Sequence, residues 1–207
     1  MIITYDITFF SFWLCSAGMS PIIGNKAMAV KDADGLPYVP GRTLKVVLRD
    51  SFQKMIKWKF SEQCYGRDFS EQNLKREVLR YSFYDLFGNS QLKAGTAHFS
   101  NATLPEEERS YIIATETQRY LFSETSHLRI LEDIEKGPSV AEFKTEVVIP
   151  CTLNGSIYIS KDYDNMSDII DVFKDSFGFV KRIGLHHSIG YGRCQMKMKE
   201  QIHNSER

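Results

Sequence analysis

The stretch VKDADGLPYVPGRTLKVVLRDSF, residues 30–52, joins a rigid turn to a helix, and the rest of the chain is arranged around it. Its first half consists of turn formers. Asp34-Gly35 favours a tight turn, and Pro37 and Pro40 fix φ and keep the residues before them extended. Its second half places apolar residues at helical spacing, which predicts an amphipathic helix from about residue 42 to residues 58–60.

The side of this predicted helix opposite the apolar stripe carries Arg42, Lys45 and Arg49, three and four residues apart. A basic face beside the unpaired N–H groups of a helix N-terminus suits an anionic ligand such as phosphate. Lys31, just before the turn, is a further candidate for the same ligand. Periodicity alone favours a simpler explanation, which is an ordinary amphipathic helix with a solvated basic face.

A glycine-rich stretch, IGLHHSIGYGRC at residues 183–194, forms a second candidate site. Glycines adopt positive φ easily and let consecutive backbone N–H groups surround an anion. An arginine beside them can grip phosphate with two donors, and histidine can donate to phosphate or stack on a base. Taken alone, the loop is explained equally well as a connection into an edge strand. Its candidate binding residues are Gly184, His187, Gly190, Gly192 and Arg193.

The remaining pattern predicts an α+β protein. Stripped of insertions, the order strand, helix, strand, strand, helix, strand is that of a ferredoxin-like (RRM-like) βαββαβ core with long insertions. The predicted strands are 2–13, 95–104, 145–160 (one strand or two) and 192–200; the predicted helices are 42–60, 71–87 and 165–183. We expect a single domain over residues 1–207, with insertions at about 14–40, 61–94 and 105–144, the last of them solvated.

Composition and motifs exclude several classes of protein. With 26 basic and 26 acidic residues the formal charge is zero, which argues against a nucleic-acid binder driven by overall charge but permits a local basic groove. The four cysteines are scattered without zinc-site spacing, and no phosphate-binding P-loop, dinucleotide fingerprint or serine nucleophile motif occurs. The apolar N-terminus carries Asp6 and is too short to span a bilayer, so we expect a cytoplasmic protein with no membrane partner.

The motif D-x-D-G-L-P-Y-V-P-G-R-T-L-K at residues 32–45 resembles the loop and helix start of the RAMP superfamily, the repeat-associated proteins of CRISPR systems. It is most similar to the backbone subunits of type III effector complexes. The pattern G-x5-G-x-G-R at residues 184–193 is similar to the second hallmark of that family. The chain departs from the family at Arg42-Thr43, where two small hydroxyl residues are usual, and at Val46, where glycine is usual.

The resemblance implies a single RAMP domain that binds guide RNA as a backbone subunit of a type III CRISPR ribonucleoprotein. Its implied partners are guide RNA (crRNA), target RNA, other effector subunits and copies of itself. The basic residues and the glycine loop would hold the sugar–phosphate backbone, and residues 105–144 would supply a thumb-like hairpin. A loop aspartate, Asp32 by position and Asp34 second, would cut paired target RNA as a base or by holding Mg²⁺. No other cofactor and no protein metal site is expected.

Two alternatives stay open at this point. The first is a non-catalytic structural or capping RAMP subunit, because Asp34-Gly35 can simply make a turn and Asp32 can cap local backbone. The second is a guide-processing endoribonuclease that uses His186 or His187, although the catalytic histidine of such nucleases usually lies nearer the first helix. Each RNA-binding hypothesis requires the two motifs to lie at the same end of the molecule.

Overall fold

The computed structural model describes residues 1–15, 26–59, 69–88, 94–133 and 137–202, and these ranges form a mixed helix and sheet structure. The strands are β1 (Ile2–Phe9), β2 (Lys26–Ala27), β3 (Ala97–Phe99), β4 (Phe122–Asp133), β5 (Gly137–Val148), β6 (Thr152–Ile159) and β7 (Cys194–Ile202). The helices are α1 (Gly41–Lys59), α2 (Phe69–Phe87), α3 (Glu106–Ala114) and α4 (Met166–Phe179). The predicted α+β class is confirmed. Part of the expected insertion at 61–94, including Cys64, lies outside the described residues.

The main sheet has four antiparallel strands in the order β3-β6-β1-β7. The central strand β1 pairs with β6 on one side, where Tyr5 faces Gly155, and with β7 on the other, where Tyr5 faces Met198. Along the chain, helix α1 lies between β1 and β3, and helix α4 lies between β6 and β7. Odd-numbered residues of β1 are buried and even-numbered ones are half-buried, because successive strand residues point to opposite faces.

The core lies between one face of this sheet and helices α1, α2 and α4. Phe52 of α1 is fully buried, and its ring centroid is 4.9 Å from that of Phe173 on α4. Phe83 and Phe87 of α2 close the cluster at 6.0 and 5.6 Å from Phe52. Full burial of one such side chain stabilises the fold by about 1.5–3 kcal/mol, so this aromatic cluster fixes α1 against its neighbours. Within the described residues, none of the helices is long and apolar enough to cross a membrane.

A second sheet, in the order β2-β5-β4, contains a long hairpin of two twelve-residue strands. The hairpin pairs Phe122 with Val148 at its base and continues to the pair Asp133 and Gly137. Trp13 holds the base, since it exchanges backbone hydrogen bonds of 3.0 and 2.8 Å with Val148. Residues 105–144, expected as a solvated insertion, therefore contain α3 and most of this hairpin.

Several element boundaries differ from the sequence-based expectation, among them the helix predicted over 165–183, which ends at Phe179. The strand predicted over 2–13 ends at Phe9, and only the isolated bridge of Trp13 continues it. The strand predicted over 95–104 is regular only over Ala97–Phe99. The segment 145–160 divides into the end of β5 and all of β6, because Pro150 between them has no N–H to continue a ladder.

Candidate nucleic-acid interface

The two motifs lie at the same end of the four-stranded sheet. Because all its strand pairs are antiparallel, the C-terminal ends of β1 and β3 meet the N-terminal ends of β6 and β7 there, as the pairing of Phe9 with Cys194 shows. Helix α1 begins beside the end of β3, where the Gly41 N–H donates to Asn101 Oδ1 at 2.9 Å. The glycine loop, residues 184–193, leads directly into β7.

One short segment after β1 holds both motifs in place. The Leu14 carbonyl accepts a hydrogen bond of 2.8 Å from the Leu185 N–H of the glycine loop, and the next carbonyl, that of Cys15, accepts one of 3.1 Å from Val30. From Val30 the chain crosses the end of the sheet to Val39, which pairs with Ala102 beyond β3.

Asp32 organises the turn that precedes α1. Its Oδ1 accepts backbone hydrogen bonds from Asp34 at 3.0 Å and from Leu36 at 2.9 Å. Its backbone closes the same turn, because the Asp32 N–H donates to the Leu36 carbonyl at 2.9 Å and the Asp32 carbonyl accepts from Gly35 at 3.1 Å. An aspartate that satisfies several loop amides in this way defines the conformation of the loop.

Arg109 of α3 clamps both loop aspartates. Its Nη1 donates to Asp32 Oδ2 at 2.6 Å, and its Nη2 is paired with Asp34 Oδ2. Partial burial alone would raise the pKa of Asp32, but the hydrogen bonds from Arg109, Leu36 and Asp34 and the charge of Arg109 outweigh it and hold that pKa below its ordinary value. Asp32 is therefore a stable anion and a weak proton acceptor.

The aspartate pair, as arranged, does not fit a metal ion. The Arg109 guanidinium bridges the two Oδ2 atoms, so a cation between the two carboxylates would have to displace it. The Oδ1 atom of Asp32 is taken by two backbone amides. Among the described residues, no group of three or more His, Cys, Asp or Glu side chains is placed to hold a metal.

The start of α1 presents basic side chains to a ligand, whereas several of its backbone N–H groups are already bonded within the protein. Sequence analysis predicted open N–H donors here, and that prediction is wrong for the amides of Gly41, Thr43 and Leu44. Gly41 donates to the Asn101 side chain, while Thr43 and Leu44 donate to the Pro40 carbonyl at 2.9 and 3.2 Å. The preceding loop thus caps the helix itself.

The four predicted basic residues beside this loop have different surroundings. Arg42 is exposed and lines an open depression of about 370 Å³ with Tyr38, Phe99 and Asn101. Lys45 is half-buried, and Arg49 is exposed with its guanidinium 5.8 Å from the centroid of the Phe83 ring. Lys31 is anchored to the hairpin, because its Nζ is 3.0 Å from Glu146 and 4.0 Å from the Phe122 ring centroid.

Two of the three glycines in the second motif are required by the close packing of the loop. All three have positive φ: 108° at Gly184, 94° at Gly190 and 72° at Gly192. A Cβ added at Gly184 would overlap the Leu14 carbonyl, and one added at Gly192 would overlap that of Ile183, whereas a Cβ at Gly190 would meet nothing within 4 Å. Only Gly190 leaves open space beside the backbone.

Several amides of the glycine loop have partners inside the protein, so the expected anion-binding nest does not include the amides of Ile189, Gly190 and Gly192. Ile189 donates to the His186 carbonyl at 3.2 Å, Gly190 to the His187 carbonyl at 3.1 Å, and Gly192 to the Phe12 carbonyl at 2.7 Å. Side chains of this loop are also open to a ligand. The exposed ones include His187 and Arg193.

Tyr191 connects the glycine loop to the hairpin. Its hydroxyl donates to Thr125 Oγ1 at 3.0 Å and lies 3.3 Å from His127 Nε2, both on β4. Sequence analysis identified neither Thr125 nor His127, nor Arg109 on α3, because these residues belong to no motif and are distant in sequence from their partners. Only the fold brings them to the site.

Comparison with known proteins finds solved structures with a similar fold. Neither a protein-family profile nor a curated protein sequence matches the chain. A chain of the cryo-EM structure of the type III-B Cmr-beta bound to cognate target RNA matches with a TM-score of 0.60 and 19% identity, over 96% of this chain and 59% of that chain. This chain thus spans less than two thirds of that neighbour. A chain of a type IV-B CRISPR complex matches with a TM-score of 0.60 and 15% identity, over 100% of this chain and 92% of that chain. At these identities the similarity establishes a shared fold.

Proposed function

We propose that this chain is a RAMP-superfamily subunit of a CRISPR ribonucleoprotein effector and that it binds guide RNA as a backbone subunit of the type III kind. The observation that carries the proposal is the attachment of both motifs to the adjacent carbonyls of Leu14 and Cys15, at one end of the sheet. Its structural neighbours in type III-B and type IV-B assemblies support the effector class. Its partners are guide RNA, target RNA, other effector subunits and further copies of the chain.

The cations at this end of the sheet suit the sugar–phosphate backbone. Arg42 lies at the start of α1 beside the end of β3, and Arg193 directly precedes β7 at the opposite edge of the sheet. Such contacts hold an RNA strand in register without reading its sequence. Because the formal charge of the whole chain is zero, we expect weak binding by the isolated protein and dependence on these local contacts.

The direct test is co-purification. The tagged chain would be expressed with its neighbouring effector subunits and a repeat-spacer array, and bound RNA would be extracted and sized. The proposal predicts a small RNA of uniform length, and less of it with Lys45→Ala or Arg193→Ala. Lys54→Ala is the matched control, since Lys54 lies on the same helix and forms an exposed ion pair with Asp50. Assembly of the complex without RNA on this subunit would contradict the proposal.

Cleavage of target RNA by Asp32 is the competing activity, and the geometry favours the non-catalytic alternative. Both carboxylate oxygens of Asp32 already have partners in the loop or on α3. A structural role predicts that Asp32→Asn and Arg109→Gln have the same effect on loop stability. It also predicts that any regularly spaced cleavage of target RNA by the assembled complex persists in both variants. Loss of regularly spaced cleavage in Asp32→Asn alone, with an unchanged melting temperature, would assign the catalytic role instead.

A further inference from the structure

Two phenylalanine rings are exposed at the same end of the sheet. Phe10 is 58% exposed and Phe12 is 36% exposed, directly after β1. The inward positions of this segment, Phe9 and Trp13, are buried and stacked with ring centroids 4.4 Å apart. The exposed rings thus continue the parity of the open face of the sheet. Single exposed apolar residues need no explanation, whereas two on the same side of one segment form a candidate binding surface.

Arginines flank these rings. The Phe10 N–H donates to the Arg193 carbonyl at 2.8 Å, and the Arg193 N–H donates to Ser11 Oγ at 3.0 Å. Arg182 forms an isolated β-bridge with Arg193 and is also exposed. The exposed residues Phe10 and Arg193 are therefore joined by a backbone hydrogen bond, and a second exposed arginine, Arg182, is paired with Arg193. Alternating rings and cations are typical of surfaces that bind single-stranded nucleic acid.

The Phe12 ring is packed against the glycine loop. The Tyr191 ring meets the Phe12 ring edge-on, at a centroid distance of 6.3 Å and an interplanar angle of 89°. The Tyr191 hydroxyl is fixed by Thr125 of β4, as described above. A platform held in this way loses little side-chain freedom when a base stacks on it, which favours binding.

We propose that Phe10 and Phe12 stack on unpaired bases of the bound RNA while Arg193 and Arg182 hold the adjoining phosphates. This inference rests on the proposed function and deepens it, because it specifies a single-stranded segment of RNA held without sequence preference. A docking surface for another protein is the other explanation of exposed rings. It is less favoured because a stable protein interface uses roughly 20–30 residues on each side, whereas this patch is small and interleaved with arginines.

The test compares two labelled ligands of equal length, an oligouridine and an abasic oligonucleotide that retains the phosphates. Fluorescence anisotropy would measure both affinities for the full chain. We expect the oligouridine to bind about 5- to 100-fold more tightly than the abasic strand. Phe10→Ala should remove most of this difference, Phe10→Trp should keep it, and Arg193→Ala should weaken both ligands equally. Tyr81→Ala is the matched control, because Tyr81 is an 84% exposed aromatic on α2.

The outcomes separate this inference from the proposed function. Equal affinity for both ligands, unaffected by Phe10→Ala, would overturn the stacking surface and leave guide-RNA binding intact. Failure of the wild-type chain to bind either ligand, alone and in its complex, would overturn both. If Phe10→Ala kept RNA affinity but released a partner subunit, the patch would be a protein contact. Melting temperatures of all variants exclude unfolding, and Phe10 is exposed enough for its truncation to be tolerated.

Discussion

The proline-containing loop over residues 30–41 and the glycine loop over residues 184–193 meet at one end of the sheet, yet they distribute their roles in opposite ways. In the first loop the conspicuous side chains are occupied by other elements of the protein, since Asp32, Asp34 and Lys31 all form ion pairs with residues on α3 or the hairpin. In the second loop the conspicuous glycines serve packing, and side chains such as Arg193 stay exposed.

The difference shows that a motif residue with catalytic chemistry need not face a ligand. The carboxylates of the first loop secure its shape and thereby the position of α1, which carries the exposed Arg42. The glycines of the second loop let its backbone approach Leu14 and Ile183 closely, which fixes the position of Arg193. In both loops the residues that define the motif place other residues, and those others face the solvent.

The largest effect that this difference between the loops predicts is the loss of stability on substitution of the packed glycines. Gly184→Ala and Gly192→Ala each combine positive φ with an overlap of Cβ and a backbone carbonyl. We expect each to lower the free energy of unfolding by about 3–4 kcal/mol, because a backbone carbonyl cannot move as a side chain does. Urea denaturation followed by circular dichroism measures the change.

Gly190→Ala is the matched control for that experiment. It has the same sign of φ but open space around the added methyl group, so only the conformational cost of about 1–2 kcal/mol is expected. Equal losses at all three positions would show that packing against Leu14 and Ile183 contributes nothing.

The next largest effect concerns the clamp on the first loop. Asp32→Ala removes the acceptor of two loop amides and one partner of Arg109, and we expect a loss of about 2 kcal/mol. Arg109→Ala should cost a similar amount, and the double variant less than the sum, since both changes break one pair. Lys54→Ala, which breaks an exposed pair, should change stability by no more than about 0.5 kcal/mol. Strict additivity would contradict the clamp.

The sequence predicted the elements better than the contacts. The apolar stripe of α1 and the alternation in β1 are local patterns that repeat at the helical and strand periods, so both elements could be located before the structure. Arg109 could not be assigned to Asp32, because the two residues are 77 positions apart and an isolated arginine carries no local pattern. The amides of the glycine loop were misjudged for the same reason, since their acceptors include Phe12, from the distant segment after β1.

Acid titration tests whether the charge of Asp32 stabilises the fold, and the expected effect on the free energy of unfolding is smaller. Its pKa is lowered in the folded protein, so its ionised form adds stability that is fully present above the ordinary aspartate value of about 3.9. That contribution is lost as the pH falls through the lower, folded-state pKa. The difference in unfolding free energy between wild type and Asp32→Asn should therefore shrink below about pH 4. A difference that stays constant into strong acid would show that the charge of Asp32 is not involved.

The smallest expected effect is on the salt dependence of RNA binding, and it tests the ligand-facing side of the comparison. Each cation that neutralises a phosphate of a single strand adds about 0.7 to the slope of log affinity against log salt concentration. Lys45→Ala and Arg193→Ala should each reduce the slope by about that amount, and Lys54→Ala should leave it unchanged. Asp32→Ala should weaken RNA binding but leave the slope of log affinity against log salt concentration unchanged, because it moves α1 and removes no cation. If Lys54→Ala flattened the slope as much as the two site variants, RNA would be held along the whole of α1, and the end of the sheet would not be the binding surface.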